Sequence, residues 1–582
     1  MKHVYTFFII IAISLQLNAQ YYQSVANEIG NTEVFKIPYF KKNALNSDTL
    51  PQLTNWPQGF LRNPSFQNFR GLTLEYIDED SGQEIVVGIN DSLFVLKADG
   101  SKLWSAKLAG TAIYPPSTAD IDNDGEIDIV IVTAGAPYNG HIYAFDHSGN
   151  IKDGWPVSVP NSWYICAPVL CDLNNDGYME IIHGEFNSSQ PIAHRNRIHI
   201  LKYDGTTFNN IWPISLPHKP AVTPAIVDID FDGNLDIFVC STDSIYAFNL
   251  YGNTLEYFPY GKTGMKFSYQ SPVIVDYHSA PSYPDELQIY GACHGDSAGF
   301  YKINIGNNGF EFDHTYTDNN TWTYSTPLVF GQENVITHSL ISQPLGISNL
   351  PDSCIYNLVE LPNYLDVLSI RPYGLEGFMT VANKGNYVFT GSNIHDANYN
   401  GLMYIYDTYN DFSVINGFPV TVKGSTFMNG INLGDVTGDG LLDMVVLGAD
   451  ADSAYINVFE ASSINALEDI YFYPDDFGNT YRGFNTRQGV TEPYMYVSIK
   501  DNNYSELTCY PNPADKLIKI EFGLNHNISE ISIYGISGTK INEFSISDKN
   551  ISIDVSNLPT GIYFISAKDN NGRIYRGKFV KD

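Results

Sequence analysis

An acidic nine-residue segment followed by an apolar run recurs along this chain, and its spacing limits what the chain can fold into. The copy at residues 120–132 reads DIDNDGEIDIVIV. CDLNNDGYMEIIHG begins at Cys171, VDIDFDGNLDIFVC at Val227 and GDVTGDGLLDMVVLG at Gly434, while YIDEDSGQEIVVG from Tyr76 is a looser version. Aligned on Gly82, Gly125, Gly177, Gly233 and Gly440, the steps are 43, 52, 56 and 207 residues, the last close to four periods. Across the long gap the acidic loop decays but its flanks persist, in SPVIVDYHSAPSYPDELQIYGAC from Ser271, TPLVFGQENVITHS from Thr326 and GFMTVANKGNYVFTGS from Gly377, which makes about eight starts.

A period near 50 residues, made of short β-type runs between Gly, Asp and Asn turns, is how β-propeller blades read in sequence. One blade cannot bury both faces of its sheet alone, so blades stack around an axis and the ring closes. An aromatic-Pro element follows several repeats, as in GHIYAFDHSGNIKDGWPV, DSIYAFNLYGNTLEYFP and GLMYIYDTYNDFSVINGFPV. The same element stands near the start of the chain in NWPQGF, residues 55–60, so residues 20–69 can complete the last blade. The expected fold is all-β: a seven- or eight-bladed β-propeller over residues 70–465, with calcium-binding blade loops.

Carboxylates at positions 1, 3 and 5 with Gly at position 6 also open an EF-hand loop, but that loop requires Glu at position 12. Here position 12 is Ile131, His183, Val239 or Val446, each inside a largely apolar run, and the EF-hand reading fails. An acidic residue stands instead at position 9 of each strong copy, which points to a compact loop with side-chain oxygens at positions 1, 3, 5 and 9 and a carbonyl at position 7. The candidate ligands are Asp120, Asp122, Asp124 and Asp128; Asp172, Asn174, Asp176 and Glu180; Asp228, Asp230, Asp232 and Asp236; and Asp435, Thr437, Asp439 and Asp443. An all-oxygen set suits Ca²⁺ rather than Zn²⁺ or copper. Polar β-turns have similar composition, but matched spacing in four copies argues against that alternative. The Tyr76 copy reads as one residue short, with Ser81 near the fifth position and Glu84 behind it, and is not expected to hold an ion.

These loops, each followed by a strand, resemble the FG-GAP/VCBS repeat family, which includes the heads of integrin α-subunits. The resemblance covers roughly residues 70–465 and implies several structural Ca²⁺ ions bound between strands of the blades.

The chain has 64 acidic residues against 32 Lys plus Arg, a net charge of −32. Such a surface repels nucleic-acid phosphates and anionic membranes, so nucleic acid is not an expected partner. Aromatic content is high, with 41 Tyr and 33 Phe, which supplies ample surface to bury and argues for a folded, β-rich chain. Residues 1–19 read as a signal peptide: Lys2, an apolar run, then Leu17-Asn18-Ala19 as the cleavage signal. No later segment is apolar for the roughly 20 residues that a membrane span needs, so no transmembrane segment is expected. The six cysteines are scattered, without the density of a disulfide scaffold, and Cys166 and Cys171 fall on opposite faces of one strand; free buried thiols are expected.

Residues 466–506 carry no blade pattern and read as a linker. From residue 507 alternating β-runs joined by Gly, Asn and Asp turns indicate a small immunoglobulin-like β-sandwich. Tyr510-Pro511-Asn512-Pro513, the run Ile531-Ser532-Ile533-Tyr534, Leu558-Pro559-Thr560-Gly561-Ile562-Tyr563 and the final Gly577-Lys578-Phe579-Val580-Lys581 resemble the C-terminal sorting domain of type IX secretion substrates. That resemblance implies the type IX secretion machinery as a partner, export across the outer membrane and a secreted or cell-surface protein.

Two motifs with a catalytic look do not hold. GDSAG from Gly295 lacks the final glycine pair and the upstream histidine motif of serine proteases, and the histidines at positions 183, 194 and 199 lack HExxH spacing. Residues 194–199 close an inserted loop, where a solvated face is expected. The function expected is an extracellular binding or adhesion module for a glycan or protein, with Trp163, Tyr164 and Trp322 as candidate sugar-stacking residues. The competing reading is a calcium-dependent polysaccharide lyase on the same scaffold, which requires a Lys, His, Arg or Tyr base cluster at the ring centre.

Overall fold

The computed structural model describes residues 21–26, 32–36, 50–63, 71–134, 140–159, 161–220, 223–267, 272–276, 286–293, 299–306, 309–316, 328–332, 335–344, 353–360, 364–372, 379–382, 387–392, 394–407, 410, 413–426, 429–464, 490–491, 504–506, 508–510, 514, 516–521, 528–534, 540–545, 551–569 and 574–581. The signal peptide, Trp322 and the serine of GDSAG lie outside the described residues. The chain divides into two compact units, residues 1–496 and 497–582. Of the ten sheets among the described residues, eight belong to the first unit and two to the second.

In the first unit a sheet stands at each repeat start, and the sheets are numbered here in chain order. The first joins Thr73–Glu75, Glu84–Leu96 and Lys102–Ala112. The second joins Ser117–Ala119, Asp128–Val132, His141–Phe145 and Val157–Ser158. The third joins Val169–Cys171, Glu180–Asn187, Asn196–Leu201 and Ile214–Leu216, with Ser162–Tyr164 on the far end of its second strand. The fourth joins Ala225–Val227, Asp236–Cys240 and Ile245–Phe248.

The worn copies also form sheets. Val273–Asp276 opens the fifth, Leu328–Gln332 the sixth and Met379–Ala382 the seventh, each paired antiparallel with the strand that follows. Val490–Thr491, inside the segment read as a linker, runs parallel beside Val273–Asp276. The eighth sheet joins Ile431–Gly434, Asp443–Ala449 and Ser453–Glu460, and its last strand comes from the other end of the chain, Gln58–Leu61.

The second strand of each strong acidic repeat is buried almost from end to end because both of its faces are covered. Side chains alternate across a strand, so neighbours must enter different cores. Ile129 and Ile131 pack with Val86 and Val95 of the first sheet, whereas Val130 and Val132 pack with Leu170 and Ile181 of the third. Ile182 turns the other way, toward Ile226 and Val239 of the fourth sheet, and Phe238 and Cys240 meet Ile289 and Tyr301 of the fifth. Met444 and Val446 pack with Phe389 and Ile405 of the seventh sheet, while Val445 and Leu447 pack with Leu74 and Ile85 of the first. The eighth sheet thus shares a core with the first.

Tryptophans clasp neighbouring sheets at a repeated position. The indole N–H of Trp104 donates to His147 O at 2.8 Å, Trp155 to Tyr203 O at 2.9 Å and Trp212 to Leu250 O at 3.1 Å. Trp56, beside the strand from the chain start, donates to Ala98 O of the first sheet at 2.6 Å. Each acceptor is the second residue of a hairpin turn whose first residue is Lys97, Asp146, Lys202 or Asn249. Trp56, Trp155, Trp212, Phe258 and Phe418 are the aromatic-Pro positions, and all five prolines follow a cis peptide bond.

Cys166, Cys171, Cys240 and Cys293 are free and buried, and burial pushes the Cys166 and Cys240 thiols up to about 12. In the second unit, one sheet runs Tyr504–Glu506, Ile574–Lys581, Gly561–Asp569, Ile528–Tyr534, Lys540–Ser545, and the other Thr508–Tyr510, Leu517–Glu521, Ile551–Asp554. Ile531, Ile533, Ile565 and Phe579 from the first meet Ile518, Ile520 and Ile553 from the second in one core. Among the described residues no helix is long and apolar enough to cross a membrane.

Removing one clasp tests its weight. Trp212→Phe keeps most of the packing and should cost about 1 kcal/mol, the net value of a hydrogen bond. Trp212→Ala also opens a cavity and should cost about 3–5 kcal/mol, both read from denaturant midpoints.

Candidate metal centre

Each acidic loop connects the first two strands of its sheet, and four of them are built alike. The position-1 carboxylate accepts the amides of positions 5 and 6. Asp120 takes Asp124 N at 3.1 Å and Gly125 N at 2.9 Å; Asp172, Asp228 and Asp435 do the same with Asp176 and Gly177, Asp232 and Gly233, Asp439 and Gly440. The position-5 carboxylate accepts the amide of position 7, at 2.8–3.0 Å, in Asp124, Asp176, Asp232 and Asp439. These local bonds wind the loop so that its carboxylates converge. Position 6 has φ between 81° and 93°, which a glycine adopts without steric cost. Position 4 is left-handed too, in Asn123, Asn175, Phe231 and Gly438.

Position 9 opens the second strand and lies directly opposite the end of the first: Ala119 faces Asp128, Cys171 faces Glu180, Val227 faces Asp236 and Gly434 faces Asp443. These four carboxylates are at most 2% exposed. Three accept the amide of position 2, from Ile121, Leu173 and Ile229, while Asp443 accepts from Thr437 N. Burial, reinforced by neighbouring carboxylates, raises Glu180, Asp236 and Asp443 to about 7. Burial also raises Asp128, to about 6, with Lys152 pulling the other way.

Carboxylate oxygens of Asp120, Asp122 and Asp128 lie within 4.8 Å of one another, as do those of Asp228, Asp230 and Asp236. Asp122 Oδ1 is buried without a hydrogen-bond partner, while Asp122 Oδ2 pairs with Lys152. In the other two loops position 3 donates inward: Asn174 Nδ2 to Asp176 at 3.1 Å, and Thr437 Oγ1 to Asp443 at 2.9 Å. The donor set is all oxygen and fits a hard cation.

The looser copy is not one residue short. Glu75 faces Glu84, and Glu84 accepts Ile77 N at 2.9 Å, so Glu84 occupies position 9 of a full-length loop. Tyr76 then stands at position 1, and Asp78 and Asp80 at positions 3 and 5. Asp78, Asp80 and Glu84 also place oxygens within 4.8 Å of one another. Aligning on Gly82 misplaced this loop, because its glycine stands one position late.

A second cluster was missed. Glu185 is fully buried and accepts from Ser162 Oγ, from Arg197 Nε at 2.7 Å and from Arg197 Nη2 at 2.9 Å, and it meets His199 Nε2 at 2.5 Å. His183 stacks on His199 at 4.8 Å and meets the edge of Tyr164, and burial holds its imidazole well below the usual value. The expected solvated face at residues 194–199 is therefore exposed only in part: Arg197 and His199 turn inward, where strand register pairs His183 with His199 and Glu185 with Arg197. Strand alternation on both sides of the inserted loop was the available signal. Tyr164 is 1% exposed, which removes it as a sugar-stacking residue.

Comparison with known families now bears on both units. Residues 120–183 are an FG-GAP-like repeat. That span begins at position 1 of the Asp120 loop and ends at position 12 of the Asp172 loop. Residues 508–582 are a secretion system C-terminal sorting domain, the type IX export tail, which directs the chain out of the cell to a secreted or outer-surface location. No curated protein matches the chain in sequence. Among solved structures, the V. cholerae biofilm matrix protein Bap1 is 12% identical with a TM-score of 0.33, covering 76% of this chain and 91% of that one. The Pseudomonas aeruginosa PilY1 C-terminal domain is 14% identical with a TM-score of 0.34, covering 65% and 92%. BBS1N in complex with ARL6DN is 12% identical with a TM-score of 0.36, covering 59% and 95%. Likeness at this level says nothing of what this chain binds.

The raised carboxylates set a pH dependence. An acid raised in the fold binds its proton more tightly there than in the unfolded chain, so its stabilising share is present below about 4 and is lost as pH climbs through about 6 for Asp128 and about 7 for Glu180, Asp236 and Asp443. In EDTA the melting temperature should fall between about pH 5 and pH 8. Glu180→Gln and Asp236→Asn should each make that fall shallower; an equal slope in both variants would show that these groups do not titrate as placed.

Proposed function

We propose that the eight sheets are blades of a closed β-propeller whose acidic loops hold Ca²⁺, and that the exported protein is a binding module for an extracellular glycan or protein. The domain limits that go with this reading are a signal peptide at 1–19, an N-terminal segment at 20–69 whose strand Gln58–Leu61 completes the last blade while Tyr21–Ala26 pairs with Ile394–Asp396 of the seventh sheet, the propeller at 70–465, a linker at 466–506 and the sorting domain at 507–582. Closure is supported by the junction of the eighth and first sheets, which repeats the contacts of consecutive sheets: a shared core, the Trp56 clasp, and Gln83 N on Asp435 O at 2.8 Å.

The residues that would hold the ion are the position-1, 3, 5 and 9 side chains: Asp172, Asn174, Asp176 and Glu180; Asp228, Asp230, Asp232 and Asp236; and Asp435, Thr437, Asp439 and Asp443. Asp120, Asp122, Asp124 and Asp128 form the same frame, in which Asp122 and Asp128 already pair with Lys152. When bound, calcium neutralises carboxylates that otherwise repel one another at the base of a buried strand, a structural role rather than a catalytic one. Extracellular modules bind calcium at about 10⁻⁴–10⁻³ M, so the loops would fill outside the cell.

The observation that carries the binding reading is the export tail on a β-rich repeat scaffold. Flat aromatic faces accompany it: Tyr178, at position 7 of the Asp172 loop, stacks on Tyr203 at 4.4 Å, and Tyr251 is 73% exposed. Such faces suit sugar rings or apolar side chains of a protein partner.

Three measurements test these statements separately. EDTA should lower the melting temperature and calcium should restore it; an identical melt in both would remove the metal. Deleting residues 507–582 should trap the protein in the periplasm, and its appearance in the medium would refute the role of the tail. A glycan array and a pull-down from cell-surface extracts should retain the calcium-loaded protein and lose it on Tyr178→Ala, whereas failure of both to retain it would end the binding reading.

A further inference from the structure

The acidic loops differ in where their positive charge comes from. In the second, third and fourth sheets the residue six places after the start of the hairpin turn is held identically: Lys152 N, Phe208 N and Leu255 N donate at 3.0 Å to Ala144 O, Ile200 O and Ala247 O. Phe208 and Leu255 extend into hydrophobic cores, the usual fate of this position. Lys152 sits at the same place with its side chain only 11% exposed, and its ammonium reaches the acidic loop instead. Lys152 Nζ lies 2.7 Å from Asp122 Oδ2 and 2.7 and 2.8 Å from the two oxygens of Asp128, positions 3 and 9 of the loop.

The first sheet reaches the same result from another position. Lys97 opens the hairpin turn, and its Nζ lies 2.5 Å from Asp78 Oδ2 and 2.6 Å from Asp80 Oδ2. Among the described residues, no lysine, arginine or histidine pairs with a carboxylate of the Asp172, Asp228 or Asp435 loop.

We propose that Lys152 is a built-in cation: its ammonium takes the place of a divalent ion in the Asp120 loop, as Lys97 does in the loop at Asp78, so that these two loops are locked without metal while those at Asp172, Asp228 and Asp435 depend on it. A divalent ion entering the Asp120 loop needs Asp122 and Asp128, and both are held by Lys152. Expelling that lysine leaves a charge at a site that neighbouring repeats fill with Phe or Leu. The two classes of loop lie in one chain, so the first two sheets are stapled from synthesis onward and the others only where calcium is abundant. The division rests on the calcium reading for the three loops without a paired lysine; Lys202, at the place of Lys97 in its own sheet, acts on Glu180 only at longer range.

Calcium titration of the full mature chain, followed by calorimetry and native mass spectrometry, tests it. Lys152→Met, which keeps the stem and suits a core position, should bind one more equivalent of calcium than the wild type. In the wild-type background Asp122→Asn should leave the stoichiometry unchanged, whereas Asp230→Asn, at the same position of a lysine-free loop, should remove one equivalent. If Asp230→Asn loses an equivalent but Lys152→Met gains none, or if Asp122→Asn also loses one, the inference is overturned and the calcium reading stands. If no variant binds calcium, the calcium reading fails, and the melt in EDTA decides the lysine: Lys152→Met should melt lower than wild type there, and an unchanged melt overturns the inference.

Discussion

Every acidic loop is governed by one buried carboxylate. Position 9 must start the second strand of its sheet, that strand is covered on both faces by neighbouring sheets, and the carboxylate is therefore taken out of water with the apolar residues that follow it. One backbone amide compensates it in part, but Glu180, Asp236 and Asp443 remain raised to about 7, a sign that the charge is not fully met. The rest of the loop answers that deficit by bringing further oxygens to the same point, which makes matters worse unless a cation joins them. Burial of the strand and a carboxylate cluster able to hold a cation are two sides of one arrangement.

The same strand connects the loops to the long-range order of the unit. Val130 and Ile131 are adjacent in sequence yet belong to different cores, and so do Ile181 and Ile182, or Met444 and Val445. A sheet displaced by one residue would exchange its two cores at once, so register in one sheet is enforced by both neighbours. The tryptophan clasps act on the outer turns of the same sheets, and the loops pin the join between first and second strands. Stability is thus distributed over contacts between sheets, each of which holds two repeats in fixed register.

The repeat, the β-rich class, the decisive role of position 9 and the export tail were legible in sequence, because each depends on residue type at fixed local spacing. Where spacing is not rigid the reading slipped: a glycine displaced by one position concealed that Glu84 fills position 9 of a full-length loop. The Glu185 cluster was harder, since Ser162, Glu185, Arg197 and His199 come from three strands and only pairing brings them together. Trp56 and Trp155 stand in the aromatic-Pro elements legible in sequence and Trp104 does not, but the acceptors of all four tryptophans are backbone carbonyls 38 to 48 residues away, and a carbonyl has no signature in a sequence.

Lys152 shows how one substitution at a repeated position changes the chemistry of a loop without changing its shape. Position for position, the Asp120 loop has the same backbone bonds as the Asp228 loop, and both carry carboxylates at positions 1, 3, 5 and 9. The difference arises 24 residues beyond Asp128, at a site that belongs to the core in the next two sheets. A long aliphatic stem can occupy such a core site because its methylenes pack where Phe or Leu would, while its ammonium extends past the core to the nearest negative charge. On the proposed calcium reading, an internal repeat needs only that one exchange to trade a soluble ion for a tethered one, since the carboxylates that would hold the ion are those that receive the lysine.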